Sequence, residues 1–152
     1  MRLYKANYLH LFQAALALAQ SDRDEMERVG AGRDPVEVLT ASSDDPTVMH
    51  ISDDRGNVLA VGGHSLGLIW FVHTTHAEAL SAKGRSKMLA LLRGHLQAIK
   101  RAAEREDPRG RFHFTNAVSE ANTSHIKLLN HLGAEWGQRF NHNGHGFQQF
   151  FF

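Results

Sequence analysis

Three cations crowd the start of one predicted helix: Lys83, Arg85 and Lys87. A helix N-terminus carries unpaired backbone N–H groups and a partial positive charge, so basic side chains there oppose the dipole by ~0.3–1 kcal/mol each. An anion bound at that end reverses the sign. The plainer alternative is that flexible Lys and Arg side chains swing away and lose little. Histidine is the second source of chemistry, with eleven residues and no cysteine in the chain. The missing thiols exclude disulfides and thiolate metal sites. His73 and His76 are three apart, but in a predicted strand they face opposite sides. His142 and His145 flank a turn, and there is no HExxH. No metal site is expected; these are scattered surface and partly buried histidines, and where several are exposed, solubility is expected to change near pH 6. The third stretch is ANTSHIKLLNHLGAEW, residues 121–136, where Asn122 can cap a helix and Gly133 can end it. Ile126, Leu129 and Leu132 recur every three residues along one face of it.

These residues need a scaffold, and 152 residues suffice for one domain, 1–152, with its own core. A hydrophobic content of 42% and a charged content of 22% argue against disorder. The formal net charge of +1 gives no global field toward nucleic acid, and no direct nucleic-acid site is evident. No apolar stretch reaches the ~18 residues of a membrane span, and the N-terminus reads as an amphipathic run rather than a signal peptide.

Residues 1–6 predict a short strand. Asn7 can cap a helix whose apolar stripe is Tyr8, Leu11, Phe12, Ala15, Leu16 and Ala19, and the charged run 22–25 continues or frays it until Gly30. Asp34-Pro35 places a cap before a proline and predicts a second short helix over 36–40. A strand at 48–51, a turn at 53–57 and a strand at 58–63 form a hairpin. Gly62-Gly63 in that strand predicts a bulge or a close backbone approach, with a substrate-facing role as the alternative. The apolar run 68–72 predicts a central strand buried on both faces, with Trp70 and Phe71 in the core. A long helix over 83–105, a strand at 112–114 and the helix after Asn122 follow. Two strands around Asn143-Gly144, a type I′ hairpin signal, close the chain. Alternation buries Phe150 and Phe152 and puts Phe151 on the other face, where it would favour docking to a partner if exposed. The order β-α-α-β-β-β-α-β-α-β-β is an α+β domain with a mixed sheet and helices on both faces.

That order resembles the Gcn5-related N-acetyltransferase (GNAT) superfamily. There the fourth strand leads into a glycine-containing loop and a long helix, whose N–H groups hold the pyrophosphate of acetyl-CoA. The family pattern is Gln/Arg-x-x-Gly-x-Gly/Ala, and residues 81–86 here read Ser-Ala-Lys-Gly-Arg-Ser. Gly84 matches the middle glycine, while Ser81 and Ser86 depart from the pattern. The resemblance implies acetyl-CoA as cofactor, with Lys83, Gly84, Arg85, Ser86 and Asn122 at its site, and leaves two alternatives between the fourth and fifth strands: an open, V-shaped cleft or one filled by side chains.

A second resemblance rests on NTSHI followed by LGA, and on LAVGG at 59–63 followed by WFV at 70–72. From Leu59 onward the chain is similar to small internal virion proteins of T7-like podoviruses, a family with a diverged GNAT-like fold. It implies virion morphogenesis in head or internal-core assembly, other phage virion proteins as partners, and a location in the virion or the infected host's cytoplasm.

In active GNAT relatives a tyrosine about seven residues after the starting Asn protonates the leaving thiolate. From Asn122 that position is Leu129, which cannot donate a proton, and the only tyrosines are Tyr4 and Tyr8. His125 and His131 share that helix without holding the position, and Ser124 could donate a hydrogen bond but is a poor acid. Loss of the acid forfeits a contribution of ~10²–10⁴ in rate. A general base would come from near the end of the fourth strand, where Glu78, His73 and His76 are candidates. Two functions follow: a virion morphogenesis protein, catalytically impaired and acting through protein contacts, or an acyl-CoA-dependent N-acetyltransferase of unknown substrate.

Overall fold

The computed structural model describes residues 1–152. Strand β1 (Arg2–Lys5) is followed by three helices, α1 (Tyr8–Leu16), α2 (Gln20–Val29) and α3 (Pro35–Thr40). Strands β2 (Met49–Ser52), β3 (Val58–Ser65) and β4 (Leu68–His73) then form a meander. A one-turn helix α4 (Thr75–Glu78) and the long α5 (Ala82–Glu106) cross over to β5 (Thr115–Ser119). Helix α6 (Thr123–Leu132) leads to the closing hairpin, β6 (Glu135–His142) and β7 (His145–Phe151).

One seven-stranded sheet results, in the order β1-β2-β3-β4-β5-β7-β6. Every neighbouring pair is antiparallel except β4 and β5, and these two share a single register pair, Leu68↔Thr115. Beyond that pair the strands splay, so the sheet consists of two halves hinged at one point. The V-shaped gap falls between the fourth and fifth strands.

Capping chemistry sets the helix starts. The Asn7 side chain accepts from His10 N–H while the His10 ring accepts from Asn7 N–H, a reciprocal capping box. Asp34 accepts from Val36 N–H with Pro35 in the first turn. Asn122 accepts from His125 N–H, and Gly133 ends α6 in the left-handed region at φ 86°. Asn143 and Gly144 both have positive φ, as a type I′ turn requires.

On one face α1 and α3 bury Leu11, Ala15, Leu18, Leu39, Val48 and Val61 together. On the other, α5 and α6 cover Leu96, Phe114, Val118, Leu129, Phe150 and Phe152. Phe150 and Phe152 are buried as the alternation predicts, and Phe151 is half-covered by Phe112, ring to ring at 5.2 Å. Gly62 and Gly63 mark a close approach: a Cβ on Gly62 would stand 2.6 Å from both Phe71 Cβ and Trp70 O.

Four local expectations need correction. Periodicity predicts one helix running from Asn7 into the 22–25 charges, but the helix breaks at 17–19. There Ala19 N–H bonds His73 O, Ala17 O accepts from Thr75 N–H, and Leu18 bridges Thr74, so backbone pairing with a distant segment replaces helical bonds. His76 lies in α4 rather than in a strand beside His73. Strand β5 begins at Thr115, after residues 112–114, where His113 and Phe114 instead donate to Phe152 O. β4 is central but only half-buried, because the splay leaves its β5 side open, and Trp70 and Phe71 are accordingly partly exposed.

Candidate functional site

The splay opens into a cleft of about 420 Å³, walled by Ile69–Val72 of β4, Asn116 and Ala117 of β5, and the 22–42 segment. Helix α2 lies over it. Asp22, Glu25, Met26 and Val29 fall at i, i+3, i+4 and i+7, which puts them on one face, and all four line the cleft. Two carboxylates therefore occupy positions that an ordinary amphipathic helix gives to apolar residues.

Both carboxylates are buried or nearly so, and every oxygen of both has at least one donor. One Asp22 oxygen accepts from His73 N–H at 2.9 Å and pairs with His73 Nδ1 at 2.9 Å. Its other oxygen accepts from Asn122 Nδ2 at 3.1 Å. Glu25 accepts from Ser119 N–H at 3.0 Å and from the same Asn122 amide nitrogen. Asn122 is 1% exposed, and its amide is wholly spent on these bonds and on its helix cap.

The ionisation states follow from this wiring. Burial alone would raise Asp22, but the hydrogen bonds and charge of His73 outweigh it and hold the carboxyl below its usual range. Burial would lower His73, yet Asp22 and then Glu78 keep its imidazole above 6.5. Glu25 is pushed up, chiefly by burial. Burial drives His125 down to about 4 despite the nearby Asp22 charge, so its ring is neutral at physiological pH. That ring packs on Phe71 at 4.4 Å between centroids, with Nδ1 3.9 Å from Asp22 and 3.8 Å from Glu25. His125 Nε2 is buried without a protein hydrogen-bond partner.

Of the residues singled out by sequence, the structure brings His73, Glu78, Asn122 and His125 to one neighbourhood. Glu78 is half-exposed on α4, 3.6 Å from His73 Nε2, whereas Ser124 is exposed on the first turn of α6. His76 is exposed. Leu129 is 0% exposed and packs with Val118, Phe150 and Leu96 under α5 and α6. Asp22 and Glu25 are the site residues that sequence inspection passes over. Their i, i+3 spacing with Met26 and Val29 was the available signal.

The basic helix start lies apart, at α5. Ser81 Oγ accepts from Gly84 N–H at 3.2 Å, Arg85 N–H bonds Ser81 O, and the Arg85 guanidinium bonds Leu80 O. The N–H groups of Ala82 and Lys83 remain as the open donors of the first turn. Lys83, Arg85 and Ser86 are exposed there. A Cβ on Gly84 would meet Leu80 Cδ2 at 3.2 Å, so this glycine faces a neighbouring side chain rather than an open cradle. The set as a whole does not fit acetyl-CoA in this conformation: the helix start retains donors for a phosphate, but α2 carboxylates span the cleft and both amide hydrogens of Asn122 are spent on them. The ligating atoms of Asp22, Glu25 and His125 lie within 4.8 Å of one another. The Asn122 amide donates to both carboxylates, which suits N–H donors and opposes a cation.

A family model described as "Bacteriophage T7, probable scaffold protein Gp13" matches residues 47–141. No curated protein sequence matches the chain significantly. Solved structures that it resembles include acetyltransferases. The GNAT domain of S. lividans PAT superposes with TM-score 0.64 at 12% identity, covering 99% of this chain and 90% of that one. A GNAT-family acetyltransferase from Bacillus cereus gives TM-score 0.60 at 11% identity, covering 99% and 95%. The ribosomal-protein-S18-alanine N-acetyltransferase from Escherichia coli gives 0.57 at 13% identity, covering 98% and 90%. At such identities the likeness shows the fold alone.

Proposed function

The chain belongs to the bacteriophage T7 Gp13 scaffold family on a GNAT-like fold, and from that premise we propose that it is a catalytically impaired phage morphogenesis protein. It acts through contacts with other virion proteins during head or internal-core assembly, in the host cytoplasm or within the particle. The observation that carries this reading is the cleft crossed by Asp22 and Glu25, whose donors are all internal to the fold. A substrate held between β4 and β5 would have to displace buried, hydrogen-bonded carboxylates, which is costly. No tyrosine stands near α6, and Leu129 is committed to the core, so the usual proton donor has no replacement there. Exposed apolar residues supply protein-facing surface, among them Tyr8, Leu9 and Leu16 along α1 and Leu66 at the β3–β4 turn. No helix is long and apolar enough to cross a membrane.

The second reading is an acyl-CoA-dependent N-acetyltransferase. One arrangement favours it: Asp22 orients His73 through Nδ1, which leaves Nε2 toward half-exposed Glu78, the geometry of an oriented base. Lys83, Gly84, Arg85 and Ser86 would then hold the phosphates.

Incubating the purified chain with acetyl-CoA separates the two. The morphogenesis reading expects no thiol release above background with amines or with partner virion proteins. Turnover that is lost in Gly84→Glu would establish the second reading instead.

A further inference from the structure

The two halves of the sheet are joined on the cleft side by almost nothing of their own. One register pair, Leu68↔Thr115, links β4 to β5, and Asn116 adds a single stitch from Nδ2 to Ile69 O at 2.9 Å. Farther along, the strand edges are met by a helix. Asp22 takes the His73 N–H at the end of β4, and Glu25 takes the Ser119 N–H at the end of β5. A neighbouring strand would bond these two amides through carbonyl oxygens, and the carboxylates of α2 stand in for them.

Helix α2 is itself held by polar ties. Only Asp22 and Met26 of its ten residues are buried. Asn122 bonds both carboxylates, Arg28 reaches Ser119 Oγ at 3.5 Å, and Arg23 bonds Ala15 O at 2.8 Å. At the far end Val29 O meets Asn143 Nδ2 at 3.1 Å and His142 Nε2 at 2.9 Å. The apolar cores on the two faces draw little from it: Met26 is its one fully buried apolar contribution. Elements with few buried apolar contacts and many polar ones are the ones that open locally, below the free energy of global unfolding.

We propose that α2 is a releasable strap: its two carboxylates hold the splay shut, and its detachment opens the cleft while both half-sheets stay folded. The freed His73 and Ser119 N–H groups would then face the cleft as donors for a ligand's carbonyl oxygens, the chemistry that Asp22 and Glu25 imitate. Access to the cleft is thereby set by the fold itself, whether or not any reaction follows.

Hydrogen–deuterium exchange on the full chain, without ligand, tests this apart from the assembly reading. The variants are Glu25→Gln and the double Asp22→Asn/Glu25→Gln, which keep side-chain size but set amide donors against the existing N–H groups. The strap expects exchange at His73, Ser119 and residues 20–29 to rise by roughly tenfold or more, while Val61 and Val118 amides keep their protection. Unchanged exchange at His73 and Ser119 in both variants would overturn it. So would a uniform loss of protection in the mild Glu25→Gln variant, since α2 would then unfold only with the whole domain.

Discussion

Asp22 meets His73 twice: one carboxylate oxygen accepts from the backbone N–H and lies 2.9 Å from ring Nδ1. The pair ties α2 to the end of β4 across 51 residues of sequence. Asp22→Ala leaves the His73 amide, His73 Nδ1 and one of the two Asn122 amide hydrogens without its acceptor in a buried place. Breaking one side of a buried pair costs about 3–5 kcal/mol. That is a large share of a domain's total of ~5–15 kcal/mol. Urea titration should show an unfolding free energy lower by that amount, and a loss under about 1 kcal/mol would mean that solvent reaches the pair.

The cluster also fixes the shape of the pH–stability curve. His125 is depressed from 6.5 to about 4, so its contribution is full above 6.5 and lost as pH falls through that window. At about 1.4 kcal/mol per pH unit this amounts to roughly 3 kcal/mol. His73 is raised, so its contribution is full below 6.5 and lost as pH climbs through its folded-state value. Stability should peak near neutrality. His125→Phe, which keeps a ring against Phe71, should flatten the acid limb, and His73→Asn the alkaline one. An acid limb unchanged in His125→Phe would show that other groups set it.

Leu129 is a packing residue. Leu129→Ala should cost about 2–5 kcal/mol in chemical denaturation, as for a large-to-small change in a closed core. Leu129→Tyr would overpack Val118 and Phe150, at about 1–3 kcal/mol. It should gain no acetyl-transfer activity. Appearance of turnover in Leu129→Tyr would show that the side chain reaches the cleft.

Gly62→Ala should destabilise the β3–β4 ladder, because the new methyl would stand 2.6 Å from Trp70 O and Phe71 Cβ. Differential scanning calorimetry should show a loss of about 1–3 kcal/mol, the usual cost of forced overpacking. A neutral substitution would mean that β4 yields toward the open cleft.

The sequence makes structure legible where the cause is local. The caps at Asn7, Asp34 and Asn122 and the turn at Asn143-Gly144 depend on residues within a few positions of each other. The break at Leu18 does not. It comes from backbone bonds to His73 and Thr75, which no helical periodicity encodes. The same distance hid the site. Asp22 and Glu25 lie in a run of charges that looks like a solvated helix end, and they become buried only because Ser119 and Asn122 arrive from about 95–100 residues away. The half-burial of Trp70 and Phe71 was equally hidden, since an apolar strand gives no sign that its neighbour will splay away.

The most direct test of an assembly role without acyl chemistry is complementation. Cells are infected with a phage lacking this chain, the chain is supplied in trans, and DNA-filled particles are counted. Wild type and a folded Gly84→Glu variant should both restore particle yield, because an assembly role does not use the helix start as a cradle for a cofactor phosphate. Normal yield without the chain, or rescue by wild type alone, would contradict the account.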